Sequence, residues 1–281
     1  MKGWWFGLLA AAAVLFASPI FAEEVAHATV ESGTPHLPSL AEMLVHWLGP
    51  QYEWIEHWAN VLYAAATSVL FVTFALIVYR RRQLIPGPLQ NAVEMMVEGM
   101  YNFIHSILGE DAKTYAPFLG TLFFYVLMNN LWGIIPLGHS PSTSINITAS
   151  LAILTFLYAQ YTGVKRLGVV GYIDHLAGQP KTPMMWGLTV LLFPLHIIGE
   201  LAKPFSLAVR LFGNITGEDV LVAAFVMLGI TVLSFVHSPV GLPLQVPFIF
   251  LGLLLSTIQA LVFSLLSTIY ILLMLPHEEH H

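Results

Sequence analysis

The sequence predicts an all-α, polytopic membrane protein with about five to six membrane helices. Of its 281 residues, 57% are hydrophobic and only 9% are charged, whereas soluble domains carry about 25% charged residues. A chain so poor in charge cannot expose most of its surface to water. Several apolar segments reach the roughly 20 residues that a helix needs to cross a bilayer, and basic clusters follow some of them.

Composition also limits the classes of function. The chain has no cysteine, so disulfides and thiolate metal sites are unavailable. Its net charge of −6 argues against nucleic acid as a partner. The 12 histidines are mostly scattered through the N-terminal tail, the loops and the C-terminal end, so we expect neither a metal site nor a cofactor. The sequence lacks a Gly-x-x-x-x-Gly-Lys-Ser/Thr phosphate loop, which argues against nucleotide hydrolysis by this chain.

The N-terminal residues 1–22 have the outline of a secretory signal peptide. Lys2 precedes an apolar run that ends at Ala22, before two glutamates, as in cleavable signals. Ile20 is larger than the small residue usual at its position, and an uncleaved membrane anchor is the alternative. The polar, acidic segment 23–58 is expected on the outer face.

A membrane domain is predicted over residues 59–281. The arginines at 80–82 end the first span on the cytoplasmic side because basic residues accumulate there, and Lys165-Arg166 mark that side again before an expected loop over 168–183. Apolar residues repeat at helical spacing over 88–108, which predicts an amphipathic helix at the membrane interface. The predicted spans are about 60–79, 116–136, 145–163, 184–237 and 246–275.

The stretch 199–219 carries an arginine, Arg210, inside a segment that is otherwise typical of a membrane helix. A charge near the bilayer centre costs at least about 2.5–3.5 kcal/mol, which makes a functional role the first hypothesis. At about 100° per residue, small and polar side chains lie on the Arg210 face of a helix. They are Lys203, Ser206, Gly213, Asn214 and Gly217. This polar stripe suits a surface where another helix passes close to a cation, and pairing of Arg210 with Glu200, Glu218 or Asp219 is the alternative.

The run from Lys203 to Asn214, Lys-Pro-Phe-Ser-Leu-Ala-Val-Arg-Leu-Phe-Gly-Asn, resembles the most specific motif of subunit a of the membrane sector of F-type ATP synthases. The likeness extends from about residue 40 to the C-terminus. It implies a proton-translocating stator subunit that is not catalytic by itself, in a bacterial inner membrane, with the N-terminus outside and the C-terminus in the cytoplasm. The implied partners are the ring of c subunits, the peripheral stalk b subunits and the rest of the synthase.

The resemblance also assigns residues to roles. Arg210 corresponds to the essential arginine that faces the ring carboxylates, and Asn214 lines the same face one turn on. Asp219 takes the acidic position of the outer half-channel, with Glu218 beside it, and Gln259 is the glutamine of the last helix. Accessory candidates are His196, Glu200, Lys203 and Ser206, and Gly213 and Gly217 are expected to let the ring approach closely.

Simpler structural roles remain open for several of these residues. Gln259 could serve helix packing, Lys203 could cap or snorkel, and His196 could be a buried, hydrogen-bonded histidine. The last helix itself shows a small or polar stripe at helical spacing, made of Gly252, Ser256, Gln259, Ser267 and Tyr270.

Two positions depart from the family pattern, and they leave the order of the relay residues open. Gly252 stands where some members have a histidine, seven residues before the glutamine. His196 stands where many have a glutamate, although Glu200 lies one turn away.

The apolar segment 184–237 is long for a single crossing. About 50 residues make a helix of roughly 80 Å, against a hydrocarbon core of about 30 Å. If the C-terminus is cytoplasmic, as the resemblance implies, this segment is a tilted, bent helix broken among Gly199, Pro204, Gly213 and Gly217, and it pairs with a second long tilted helix against the ring. The alternative is two upright crossings with a turn near Lys203-Pro204.

Two rival functions are considered. A sodium-coupled version of the same subunit is one, because ion choice depends largely on the ring carboxyl, which is not in this chain. A secondary transporter with an anion-binding arginine is the other. It would need an internal repeat with broken helices in both halves, and the stretch 199–219 has no second copy.

Overall fold

A computed structural model describes residues 39–49, 52–83, 86–135, 138–177, 183–234 and 242–275. The predicted signal peptide over 1–22, residues 23–38 of the polar segment that follows it, and residues 276–281 lie outside the described residues.

All regular elements in these residues are helical, and five stretches are long and apolar enough to cross a membrane. The prediction of an all-α polytopic membrane protein is thereby confirmed. The α-helices are α1 (Leu40–Leu48), α2 (Glu53–His57), α3 (Ala59–Arg80), α4 (Pro88–Leu108), α5 (Ala112–Leu131), α6 (Ile145–Leu176), α7 (Pro183–Ser234) and α8 (Val246–Leu272). Short 3₁₀ turns lie at Gly109–Asp111, Trp132–Ile134 and Pro141–Thr143.

Local sequence explains where several helices begin and end. Ser39 caps α1 through a capping box, in which its hydroxyl accepts from the Glu42 amide at 3.3 Å and the Glu42 carboxylate accepts from the Ser39 amide at 3.2 Å. Helix α4 begins with Pro88, whose missing N–H is not needed in the first turn. It ends at Leu108, before the C-cap Gly109, whose φ of 56° other residues disfavour.

Helix α6 is longer than the span predicted for it. It continues past Gly163 and the basic pair to Leu176, with a bend at Gly168, where φ is 72° and ψ is 164°. The expected loop over 168–183 is therefore wrong for residues 168–176. Basic residues indicate where a chain leaves the membrane, and a helix can continue in water beyond that point.

Helix α7 runs without interruption over 52 residues, from Pro183 to Ser234. The expected break among Gly199, Pro204, Gly213 and Gly217 is therefore wrong, and so is the alternative turn near Lys203-Pro204. A proline removes one backbone hydrogen bond, but a membrane helix tolerates this because neighbouring groups satisfy the freed carbonyl.

The described helices fall into two compact units. The first contains the described residues of the ranges 1–71, 125–144 and 212–260, and the second those of 72–124, 145–211 and 261–281.

In the first unit, α7 buries Ile215, Ala223 and Val226, each with at most 1% of its surface exposed. Phe225 of α7 stacks on Phe248 of α8, with ring centroids 3.7 Å apart. Because lipid is as apolar as these side chains, close packing rather than water exclusion favours the association of such helices.

In the second unit, the centre of the core is formed by Ile104, Leu119 and Ile271, which are fully buried. Phe118 stacks on Tyr158 with ring centroids 4.0 Å apart. At the edge of this core, the Arg166 guanidinium pairs with Asp111 and donates from Nε to the Tyr115 hydroxyl at 3.3 Å. These contacts fix α6 against the beginning of α5.

Candidate functional site

Arg210 lies on α7 in the second unit, and its side chain is exposed. Leu207 and Leu211, which flank it on the helix, are 1% and 0% exposed. Helix α7 therefore turns an apolar face toward its own unit and leaves the arginine at the surface.

No salt bridge joins Arg210 to a carboxylate among the described residues of its own unit. Glu200, the carboxylate of that unit proposed as an alternative partner, pairs with Lys203 instead. An arginine at the surface of an apolar helix is costly against lipid, so this position requires a partner from outside the unit or access to water.

A group of polar side chains surrounds Glu200 in the second unit, and we call it the Glu200 cluster. Gln160 Nε2 of α6 donates to Glu200 Oε2 at 3.0 Å, and the Tyr172 hydroxyl donates to Gln160 Oε1. The Lys203 ammonium pairs with Glu200 and lies 5.5 Å from the centroid of the Tyr270 ring. The side chains of Glu200 and Lys203 are only 16% and 20% exposed, so this ion pair is largely shielded from solvent.

The structure tests two of the simpler roles considered for this stretch. His196 is exposed, so it is not a buried, hydrogen-bonded core histidine. Lys203 binds a carboxylate one turn earlier and does not cap a helix, because α7 continues far beyond it.

A second polar group lies between α7 and α8 in the first unit. The Asn214 amide donates to Gln259 Oε1 at 2.7 Å, so two residues 45 positions apart in sequence are brought together. Gln259 is 2% exposed, and its Nε2 is buried without a hydrogen-bond partner in the described part of the chain. An unpaired donor in such a place is typical of a site that holds water or another polar molecule.

Glu218 extends this group. Its carboxylate accepts from the Ser256 hydroxyl at 3.4 Å, and Asn130 Nδ2 donates to the backbone carbonyl of Ser256 at 3.4 Å. The Ser142 hydroxyl in turn donates to Asn130 Oδ1 at 2.7 Å. The α7–α8 polar cluster is therefore Asn130, Ser142, Asn214, Glu218, Ser256 and Gln259.

Asp219 has different neighbours from Glu218. A Cβ built on Gly133 would lie 3.0 Å from Asp219 Oδ1 and 3.3 Å from the Ser140 Cβ, so the carboxylate is close to the turn after α5. Nearby, the Ser140 hydroxyl donates to the carbonyl of Asn129, whose own side-chain amide is buried and unpaired among the described residues. The two adjacent carboxylates therefore belong to separate surroundings.

The remaining predicted positions lie at the surface. Ser206 is exposed in the second unit, and Gly213 and Gly217 are exposed in the first. A Cβ added to either glycine would meet no atom within 4 Å. These two glycines serve no close contact inside their own unit.

Several residues of both clusters were not assigned from the sequence. Gln160 and Asn130 lie inside predicted spans, and their residue type is a usable indication, because polar groups inside a membrane segment are seldom idle. Ser142 lies just before a predicted span, and Tyr172 lies in the expected loop over 168–183, where residue type gives no such indication. Ser256 was visible in the small or polar stripe of the last helix, and the structure buries it completely.

We compared the chain with models of known protein families. The family model described as ATP synthase A chain matches residues 61–272, a range that includes every residue of the two polar clusters. The chain belongs to the ATP synthase A chain family. Members of this family are components of the membrane sector of ATP synthase and not its catalytic part, which agrees with the expectation from the sequence.

Curated relatives of the ATP synthase A chain family align over most of the chain. A protein named ATP synthase subunit a from Protochlamydia amoebophila (strain UWE25) is 43% identical over 259 residues, 90% of this chain and 94% of the relative. A protein of the same name from Oleidesulfovibrio alaskensis (strain ATCC BAA-1058 / DSM 17464 / G20) is 36% identical over 249 residues, 88% of this chain and 98% of the relative.

Proposed function

We propose that this chain is the proton-translocating stator subunit of an F-type ATP synthase, which couples proton flow to rotation of a ring of c subunits. The observation that supports this most directly is the exposed Arg210 on an apolar helix, without a carboxylate partner in its own unit. Such a cation needs a partner from outside its unit or access to water, and a ring of carboxyl-bearing subunits would supply an anionic partner repeatedly.

The chemistry of arginine defines its role. The guanidinium stays charged in proteins, so it does not carry protons itself. A carboxylic acid that approaches it is favoured in its ionised form and releases its proton. Each ring carboxyl would thus be deprotonated as it passes Arg210, and the fixed charge would keep protons from flowing directly between the two half-channels.

The two polar clusters are proposed to line the two half-channels, each within its own unit. The α7–α8 polar cluster, with Asp219 nearby, would form the pathway from the outer face. The Glu200 cluster would form the cytoplasmic pathway, with His196 as an exposed accessory. Both contain hydroxyl, amide and carboxylate groups, which can pass protons when water joins them.

The exposed surface of α7 is proposed as the ring-facing surface. Ser206 and Arg210 in one unit, and Gly213 and Gly217 in the other, are exposed, and small residues allow helices to approach closely in membranes. The peripheral stalk b subunits would bind elsewhere on the chain. The exposed arginines at 80–82 favour a cytoplasmic end for α3 in a bacterial inner membrane, and the proposed topology has the N-terminus outside and the C-terminus inside.

Disulfide cross-linking tests the ring-facing surface, and this chain contributes no cysteine of its own to the background. Ser206→Cys is exposed one turn before Arg210 and should cross-link to a cysteine placed beside the ring carboxyl. Leu211→Cys is the matched control, because this position is fully buried and should not react. Equal cross-linking of both variants, or none with Ser206→Cys in an assembled complex, would contradict the proposal.

A further inference from the structure

Tyr172 of α6 contacts a residue that precedes it in the same helix. Its hydroxyl donates to Gln160 Oε1, although the two residues are 12 positions apart. In a straight α-helix, such residues would be separated by roughly 18 Å along the axis, beyond the reach of their side chains. The contact exists because α6 bends at Gly168, where φ is 72° and ψ is 164°. The segment after the bend therefore folds back along its own helix.

Gly163 provides the place where the Tyr172 ring packs. Gly163 is buried, and a Cβ built on it would lie 3.2 Å from Tyr172 Cδ2 and 3.1 Å from Met274 Sδ. These distances are shorter than an ordinary van der Waals contact, so a side chain at position 163 would push against the ring. The lack of a side chain there lets the folded-back segment lie close to the helix.

The Tyr172 hydroxyl determines which end of the Gln160 amide faces Glu200. A side-chain amide has one end that accepts hydrogen bonds and one that donates them. Because the hydroxyl donates to Gln160 Oε1, the opposite end of the amide, Nε2, is directed at Glu200 and donates to its Oε2 at 3.0 Å. The reversed amide would place its oxygen against the carboxylate and lose this hydrogen bond. The Glu200 carboxylate is thus held between the Gln160 amide and the Lys203 ammonium.

We propose that Tyr172 is a positioning residue of the cytoplasmic pathway, which orients the Gln160 amide from the folded-back end of α6 and thereby holds Glu200 in place. This inference rests on the proposed function, in which the Glu200 cluster lines that pathway. Tyr172 does not transfer protons itself and acts only through Gln160. A carboxylate held in one orientation meets its proton partners in the same geometry at each step, which favours fast transfer.

The experiment uses the assembled synthase in inverted membrane vesicles and measures ATP-driven proton pumping per assembled complex, with the amount of complex determined by immunoblot. Tyr172→Phe keeps the ring against Gly163 and removes only the hydroxyl. It should slow pumping roughly two- to tenfold, the factor that corresponds to one ordinary hydrogen bond. Tyr161→Phe is the matched control, because it removes the hydroxyl of an exposed tyrosine on the same helix, and it should pump normally.

A double variant separates positioning from a merely structural role. Gln160→Met replaces the amide by an apolar chain of nearly the same length, so it removes the group through which Tyr172 is proposed to act. It should slow pumping at least as much as Tyr172→Phe. Because the hydroxyl then has no amide to orient, the double variant Gln160→Met/Tyr172→Phe should pump at the same rate as Gln160→Met alone.

The outcomes distinguish this inference from the proposed function. Normal pumping by either single variant, equal slowing by Tyr161→Phe, or a further two- to tenfold loss in the double variant would overturn the role of Tyr172. The stator function would survive each of these results as long as Arg210→Ala abolishes coupled pumping. Retained coupling in Arg210→Ala would instead overturn the proposed function itself.

Discussion

Arg210 shows how much a single residue type can reveal. Its charge within an apolar segment, and the small and polar residues that share its helical face, predicted a partner from outside. The structure leaves the side chain exposed and pairs Glu200 with Lys203. A fixed cation on a membrane helix is useful only if something anionic reaches it.

Replacement of Arg210 by alanine is expected to abolish ATP-driven proton pumping and proton-driven ATP synthesis, while the complex still assembles. The physical reason is that no cation remains to ionise the ring carboxyl, whereas an exposed residue contributes little to folding. Arg82→Ala, which removes another exposed arginine, is the control and should pump normally. ATP synthesis that persisted in Arg210→Ala membranes would contradict the proposed role of Arg210.

The partner of Glu218 could not be predicted in the same way. Adjacent residues of a helix point about 100° apart, so the sequence predicts only that Glu218 and Asp219 have different neighbours. Similarly, Gly163 carries no side chain, so its role depends on what lies against it in three dimensions. Residues that act by leaving space become visible only when the atoms that fill the space are known.

At the scale of helices, the apolar composition of a segment predicts that a membrane helix is present better than it predicts whether that helix is continuous. The apolar runs of α3, α7 and α8 were located from sequence to within a few residues of their observed ends. The expected break in α7 is wrong, because glycine and proline need not interrupt a membrane helix, which has strong reasons to keep its backbone hydrogen bonds. In α6, the basic pair predicts the cytoplasmic side and a loop after it, yet the helix continues to Leu176 and only bends at Gly168.

The bend at Gly168 gives a prediction for α6. Gly168 has a φ of 72° and a ψ of 164°, a conformation that is essentially restricted to glycine and costs other residues about 1–3 kcal/mol. Gly168→Ala should therefore lower the thermal stability of the detergent-solubilised complex and weaken pumping, because Tyr172 follows the bend and donates to Gln160.

Gly171→Ala is the matched control for this prediction. Its Cβ would make an ordinary contact at 3.5 Å with Leu167 Cβ, and its φ is not positive. Equal melting temperatures for the two variants would show that the bend does not constrain α6.

At the scale of the whole molecule, low charge and long apolar segments predict a polytopic membrane protein. The twelve-residue motif from Lys203 to Asn214 predicts its family. The sequence did not reveal that its polar membrane residues gather into two clusters, each inside one compact unit. Gln160 and Glu200 are 40 residues apart, and Asn214 and Gln259 are 45 apart. Such pairs depend on how helices pack, which spacing along one helix cannot predict.

The chemistry of the Glu200 cluster and of the α7–α8 polar cluster gives a prediction about the ion that the synthase couples to rotation. Their hydroxyl, amide and carboxylate groups pass protons readily through water, so the assembled synthase is expected to be proton-coupled. Carbodiimide, which reacts with the protonated ring carboxyl, should then inactivate the complex at the same rate with or without sodium chloride at constant pH. Raising the pH should slow the reaction, because ionised carboxyls do not react.

Potassium chloride at the same concentration controls for ionic strength, which weakens interactions between exposed charges. Protection by sodium but not by potassium would mean that sodium displaces the proton at the ring carboxyl. The polar clusters would then conduct sodium ions, while the role of Arg210 as a fixed counter-charge would remain. The coupling ion and the proposed role of Arg210 are thus separable, and carbodiimide protection tests the first while the Arg210→Ala variant tests the second.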